Sequence, residues 1–295
     1  MNIGVIGGGS IGLLASGYLS RTHSVTLYVK REEQKKKFDT HQLQIINSSE
    51  SYNNLTINVQ QISDLNDEAC FLICVKQGNL NEIIPFLENV PSHTPLLFLQ
   101  NGMGHIHKIE KLPHPIYLGS VDHGARRVND YQVEHLGKGK IRLASFSGNK
   151  EELINIINAL NSNLFPIEMV DNWKILLVNK LIINAVINPL TALFDVPNRS
   201  IVENEYIHYL AKNLCKEAAS VLGLDGEAAW QRIQEVAINT GLNTSSMRAD
   251  IKQYRQTEIE AITGYILENS DTDLPYTSFI YHSILAIQRE RVSHS

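Results

Sequence analysis

A chain of 295 residues with 43% hydrophobic and 19% charged content has room for two packed domains, neither needing a disulfide or metal staple. Its net charge of −5 excludes a general electrostatic attraction to nucleic acid or anionic membranes, although a local basic patch could still bind a phosphorylated small molecule. Met1 runs at once into an apolar segment rather than a basic-then-apolar leader, and no apolar stretch of about 18 residues stands out, so a cytoplasmic protein without a membrane partner is expected.

In chain order, strands are predicted at Asn2–Ile6, Ser24–Val29, Ala69–Val75, Pro95–Leu99 and Pro115–Val121. Helical patterns lie between several of them, at Ile11–Arg21, Glu32–Phe38, Leu80–Asn89 and His105–Lys111. Short apolar strands with helical crossovers predict a mostly parallel sheet covered on both faces. His41–Asn47, Leu55–Gln60, Tyr131–Leu136 and Lys140–Ala144 are also strand-like. The last two, joined through Gly137-Lys138-Gly139, are expected to form a hairpin at an antiparallel edge. From about Asp171 the pattern turns helical, at Asn172–Ile187, Ile201–Val221, Gly226–Thr240, Arg248–Asn269 and Ser278–Arg291. Turns are expected at Asn188-Pro189, Gly223–Gly226, Gly241 and Pro275. The expected division is an α/β domain over 1–169 and an all-helical domain over 170–295, with the active site in the cleft between them. Cys70, Cys74 and Cys215 are expected to be small core hydrophobes, and no Cys/His set has zinc spacing, so no metal is expected.

Gly7-Gly8-Gly9-Ser10-Ile11-Gly12 follows the first strand and opens a helical pattern. In that setting G-x-G-x-x-G has a physical meaning: a tight turn at Gly7, backbone approach to a pyrophosphate at Gly9, and close helix–strand packing at Gly12. The helix N-terminus offers N–H groups and a positive dipole end to the phosphates. A Rossmann-type dinucleotide domain is therefore expected. NAD sites carry an acidic residue at the end of the second strand, whereas this chain has Lys30-Arg31, which would pair with a 2′-phosphate. NADP is the expected cofactor, with Glu32 and Glu33 keeping NAD open as the alternative. Lys76 and Asn101 follow further strands and fall where ligands of open α/β sheets bind.

In the helical half, Lys180, Asn184 and Asn188 recur every fourth residue among Leu181-Ile182-Ile183 and Ala185-Val186-Ile187. This spacing places them along one face of an otherwise apolar helix, costly unless that face lines a site. Pro189 is expected to end or kink the helix. Asn243-Thr244-Ser245-Ser246-Met247 and Thr257-Glu258 form a second polar cluster, in which N-capping is the competing account of Asn and Ser.

Taken together, these motifs resemble the ketopantoate reductases. The resemblance runs over nearly the whole chain: GGGSIG at 7–12, VKQ at 75–77, QNGMG at 100–104, HGARR at 123–127, KLIINAVINPLTA at 180–192, Pro197-Asn198, NTSSM at 243–247 and TEIEAITG at 257–264. It implies an NADPH-dependent reduction of 2-dehydropantoate. Lys180 would be the general acid. Asn184, Asn188, Asn198 and Asn243, Thr244, Ser245 and Ser246 would hold the substrate's carboxylate and hydroxyl groups. Glu258 would meet the cofactor ribose or the reacting hydroxyl. Gly7–Gly12, Lys76, Asn101 and Ala125 would hold the cofactor, with Lys30 and Arg31 competing for the 2′-phosphate. A related 2-oxo or 3-hydroxy acid reductase and a non-catalytic NADP-sensing protein are the alternative functions. The long helices offer a surface for a homodimer without deciding that they use it. No basic stripe interleaved with aromatics supports a nucleic-acid partner.

Overall fold

The structure, a computed structural model, describes residues 1–47 and 51–292. The strands are β1 (Asn2–Ile6), β2 (Ser24–Val29), β3 (Leu43–Ile46), β4 (Tyr52–Leu55), β5 (Asn58–Gln61), β6 (Cys70–Ile73), β7 (Leu96–Phe98), β8 (Ile116–Val121), β9 (Gly124–Arg127), β10 (Gln132–Gly137), β11 (Ile141–Ser145) and β12 (Ile167–Met169). An eight-stranded sheet has the order β12-β11-β8-β7-β6-β1-β2-β5. Six neighbouring strands from β5 to β8 run parallel, β11 runs antiparallel to β8, and β12 is parallel to β11. Continuous apolar runs such as Ile3–Ile6 and Cys70–Ile73 suit strands buried on both faces. A second, four-stranded sheet has the order β4-β3-β10-β9. Helices α1 (Ser10–Leu19), α2 (Glu32–Lys37), α3 (Leu80–Leu87), α4 (Ile106–Ile109) and α5 (Lys150–Leu160) accompany these strands.

Compact units divide as Met1–Gln100 with Ile106–Leu176, and Asn101–His105 with Leu177–Ser295. In the first, β1 lies between β2 and β6, so successive crossovers leave it in opposite directions. The glycine loop therefore sits at a topological switch point, at the carboxyl end of β1.

The helical part holds α6 (Trp173–Leu193), α7 (Ser200–Glu203), α8 (Glu205–Leu222), α9 (Gly226–Asn239), α10 (Ser246–Lys252), α11 (Tyr265–Glu268) and α12 (Pro275–Val292). A π-turn at Glu260–Gly264 runs directly into α11. Helix α8 packs on α7, α9 and α12. Its Glu217 carboxylate accepts the Tyr276 and Thr277 backbone N–H groups at 3.1 and 2.7 Å, capping the start of α12, where Pro275 takes the first position.

Several expectations are corrected. Strands β10 and β11 do not form a hairpin: β10 pairs with β9 and β3, and β11 with β8 and β12. Gly137–Gly139 instead carries the chain from one sheet to the other. The 55–60 strand is two strands, split at Thr56-Ile57. A helix not among the expected elements spans Lys150–Leu160, N-capped by Asn149. Helix α6 continues through Pro189 to Leu193, with the Thr191 hydroxyl donating to the Ile187 carbonyl at 2.7 Å to help close its last turn. The segment 248–269 is broken between α10 and the π-turn. Finally, α6 has the length and mean hydropathy, 1.6, of a membrane span, but 72% of its most apolar window is buried within the protein. Its apolarity is that of a core helix.

The small sheet is tied to α1 by a buried relay. The Tyr18 hydroxyl donates to His135 Nδ1 at 2.7 Å, and His135 Nε2 lies 3.1 Å from His123 Nδ1. The Gly139 backbone N–H also donates to His123 Nδ1, at 3.2 Å, so that nitrogen is an acceptor and both rings are neutral. Burial, then the neighbouring His135, pushes His123 down to about 4, and burial lowers His135 as well. The unfolded chain protonates its histidines near 6.5 while folded His123 resists until about 4. Stability is therefore full above the unfolded value and falls as pH drops through that window. We expect a loss of about 2–3 kcal/mol from His123 between these limits, measured by denaturant unfolding. Lys140 and Arg142 hold Glu168 below its usual 4.5, so its own acid loss comes lower. A His123→Gln variant should flatten the upper window alone; an unchanged pH profile in that variant would refute the relay's role.

Candidate active site

The cofactor candidates begin with the glycine loop. Gly7 adopts φ +111°, a region that excludes most side chains, and its N–H donates to the Tyr28 carbonyl at 2.9 Å. A Cβ on Gly12 would sit 1.8 Å from the Gly7 carbonyl oxygen, so only glycine lets α1 approach β1 this closely. By contrast, a Cβ on Gly9 would meet nothing within 4 Å. The backbone there faces open space, and Gly9 caps α1 without a side-chain hydrogen bond. Ser10, Ile11 and Gly12 form the first turn of α1. This is the cradle that a pyrophosphate requires, and the residues present fit a dinucleotide.

Lys30 and Arg31 follow β2 and face different partners. Lys30 Nζ pairs with Glu82 Oε2 of α3 at 2.6 Å and is 70% exposed. Arg31, the N-cap residue of α2, pairs instead with Asp130, in the turn between β9 and β10. Gln34 of α2 donates to the Gly8 carbonyl at 3.0 Å and to the Asp130 carbonyl at 2.9 Å, and Arg127 Nη1 donates to the Gly8 carbonyl at 3.3 Å. The loop is thus bordered by Arg31, Gln34, Arg127 and Asp130. Lys76 is half-buried just beyond β6, where Gln100 Nε2 ties down the Ile73 and Val75 carbonyls at 2.9 and 3.1 Å. Ala125 lies on β9, partly buried against the core of the first unit.

In the second unit, Lys180, Asn184 and Asn188 share one face of α6, with Lys180 half-buried and both asparagines buried. Asn188 Nδ2 lies 3.4 Å from Ser246 Oγ, at the start of α10. Ser245 is buried and serves as the α10 cap: its hydroxyl oxygen accepts the Arg248 N–H at 3.2 Å and lies 2.8 Å from the Thr191 hydroxyl oxygen. Ser246, Asn243 and Thr244 are exposed. Buried Asn198 is held by the Thr240 hydroxyl at 2.9 Å, and its N–H donates to the Asn243 carbonyl at 3.3 Å. Asn101 donates to Glu258 Oε2 at 2.9 Å. Glu258 stands in the bend before the π-turn rather than within a long helix. A π-turn widens the backbone locally and is frequent at functional sites.

The structure therefore links Asn188 with Ser246, Asn198 with Asn243, and Asn101 with Glu258, and it separates Lys30 from Arg31. Gln34, Asp130, Thr191 and Thr240 were missed. The site partners that single them out lie 26 to 99 residues away, and no local spacing signals such pairs. Arg127 closes the HGARR motif, whose spacing does not signal its contact with Gly8.

A switch-point glycine cradle followed by a helical unit bearing a Lys–Asn stripe defines a nicotinamide-dependent oxidoreductase. Residues 3–148 match the family model described as ketopantoate reductase PanE/ApbA, and residues 172–288 match the model of its C-terminal part. The chain belongs to the ketopantoate reductase PanE/ApbA family. It is 38% identical to a 2-dehydropantoate 2-reductase of Bacillus subtilis over 98% of both chains. It is 36% identical to the enzyme of the same name in Listeria innocua, over 99% of this chain and 98% of that one. A crystal structure of a probable 2-dehydropantoate 2-reductase from Bacillus subtilis superposes with a TM-score of 0.88 at 37% identity, covering 97% of this chain and all of the other.

Proposed function

We propose that this chain reduces 2-dehydropantoate to pantoate with NADPH. The observation that carries the reading is the polar stripe of α6, where Lys180, Asn184 and Asn188 interrupt an apolar helix beside Ser246. NADPH supplies the hydride when bound. Reduction of a 2-oxo acid builds negative charge on the carbonyl oxygen, and the Lys180 ammonium stabilises that charge and then gives up its proton to form the hydroxyl. Asn184, Asn188, Asn198 and Ser246, with the preceding 243–245 run, bind the carboxylate and hydroxyl as neutral donors and acceptors. The Asn101 amide holds the Glu258 carboxylate in place to meet the cofactor ribose or the reacting hydroxyl.

Arg31 is the residue assigned to the 2′-phosphate, since Lys30 is turned toward Glu82. Steady-state assays with 2-dehydropantoate and either NADPH or NADH, alongside binding titrations of both cofactors, test this reading. Tighter NADPH binding and faster turnover with it are expected. Equal or tighter NADH binding would overturn the cofactor assignment. Faster turnover of another 2-oxo acid in the same assay would overturn the substrate.

A further inference from the structure

The turn between β9 and β10 brings a carboxylate to the edge of the cofactor loop. Asp130 Oδ1 pairs with Arg31, and Arg127 Nη2 stands 3.6 Å from the same oxygen. The turn is firmly built. The Val128 N–H donates to the Gln132 carbonyl at 2.9 Å, and the Asn129 side chain accepts the Tyr131 N–H at 3.0 Å. Gln34 fixes the Asp130 backbone and the Gly8 carbonyl through one amide group. As a result the Asp130 carboxyl is mostly covered, 19% exposed, while both arginine side chains keep a solvent-facing part, at 46% and 35%.

Two guanidiniums converging on one carboxylate oxygen form an anion-binding corner. Each guanidinium can grip two oxygens of a phosphate at once, which one shared carboxylate oxygen cannot satisfy. A phosphomonoester dianion also carries more charge than Asp130 and more acceptor oxygens. We infer that Arg127 is a second ligand of the 2′-phosphate beside Arg31, and that Asp130 is a resident stand-in anion which the phosphate displaces. Asp130 thereby sets the selectivity between the two nicotinamide cofactors. This rests on the NADPH reading above. The device lies wholly within the first unit and uses residues that the glycine-loop motif does not contain.

The proposal makes opposite demands on two neighbouring residues. Removing Arg127 weakens only ligands with the 2′-phosphate. Removing the Asp130 charge strengthens those ligands, because a competitor and a repulsive charge are gone together. A 2′-hydroxyl ligand gains nothing from the same change and loses a carboxylate acceptor.

Calorimetric titration of the full chain with adenosine 2′,5′-bisphosphate and with adenosine 5′-monophosphate tests this without turnover. The wild type should prefer the bisphosphate. Arg127→Gln should weaken the bisphosphate about tenfold and leave the monophosphate unchanged, as expected for losing a charged hydrogen-bond donor. Arg127→Lys should recover part of that loss. Asp130→Asn should tighten the bisphosphate severalfold, and Lys30→Gln should alter neither ligand. A wild type that binds both fragments alike would sink the NADPH reading and this inference with it. A wild type that prefers the bisphosphate, with Arg127→Gln and Asp130→Asn both unchanged, overturns this inference alone. Equal weakening of both fragments in Arg127→Gln would make Arg127 a clamp on Gly8 only, and loss of the preference in Lys30→Gln would move the phosphate to Lys30; either result overturns the assignment.

Discussion

Lys180→Ala is expected to lower kcat by about a thousandfold while leaving the affinity for NADPH unchanged. The size follows from losing a positioned proton donor, which contributes roughly 10²–10⁴ in rate. The selectivity follows from the proposed roles: Lys180 shares its face of α6 with the substrate-binding Asn184 and Asn188, while the glycine cradle holds the cofactor. The fold should tolerate the change, since Lys180 is only half-buried and alanine is the best helix former. Lys180→Arg separates two accounts of the lysine. A guanidinium keeps the positive charge but does not release a proton at working pH. If charge alone were sufficient, Lys180→Arg would restore most of the rate; with proton donation required, it stays near the alanine variant. Fluorescence titration with NADPH and steady-state turnover, run on both variants, supply the two readouts. Near-normal turnover in Lys180→Ala would remove it from the role of acid.

The parts legible in the sequence share a cause: each is encoded within one or two turns of chain. The parallel strands announce themselves as short apolar runs, and Gly7–Gly12 states its geometry in six consecutive positions. The Lys180–Asn184–Asn188 stripe is a helical period written into an apolar segment, and α6 presents it as one face. Apart from α5, which is locally encoded, what escaped depends on pairing at a distance. The Tyr131–Leu136 and Lys140–Ala144 runs look like a hairpin because they are adjacent and alternate. Each finds a better partner elsewhere, β10 beside β3 and β11 beside β8. The different placements of Lys30 and Arg31 were not legible locally either, because their partners Glu82 and Asp130 lie 52 and 99 residues away. The helix end expected at Pro189 failed for a different reason. Proline removes one backbone donor, but so near a helix end the loss is small, and Thr191 reaches back to the carbonyls of Ile187 and Asn188.

Glu258 owes its placement to a contact that the motif QNGMG contains but does not explain. Gly102 adopts φ +80°, and a Cβ there would stand 2.2 Å from the Ala261 carbonyl oxygen, within the π-turn. Only a glycine lets the Asn101 loop lie this close to the backbone that follows Glu258, which is what allows Asn101 Nδ2 to reach Glu258 Oε2 at 2.9 Å. Gly102→Ala is therefore expected to do two things. Stability falls by about 1–3 kcal/mol, from a strained backbone at positive φ. On the role proposed for Glu258, turnover falls between tenfold and a hundredfold, because a misplacement of about 1 Å in a site costs on that order. Asn101→Ala separates the two effects: it removes the hydrogen bond to Glu258 without forcing the loop away, so it should lose rate with little loss of stability. In the double variant the loss of rate should be no greater than in Gly102→Ala alone, since both changes break the same bond. Thermal unfolding and kcat measured on the three variants give the cycle. Wild-type turnover in Gly102→Ala, or fully additive losses in the double variant, would show that the close approach of this loop does not position Glu258.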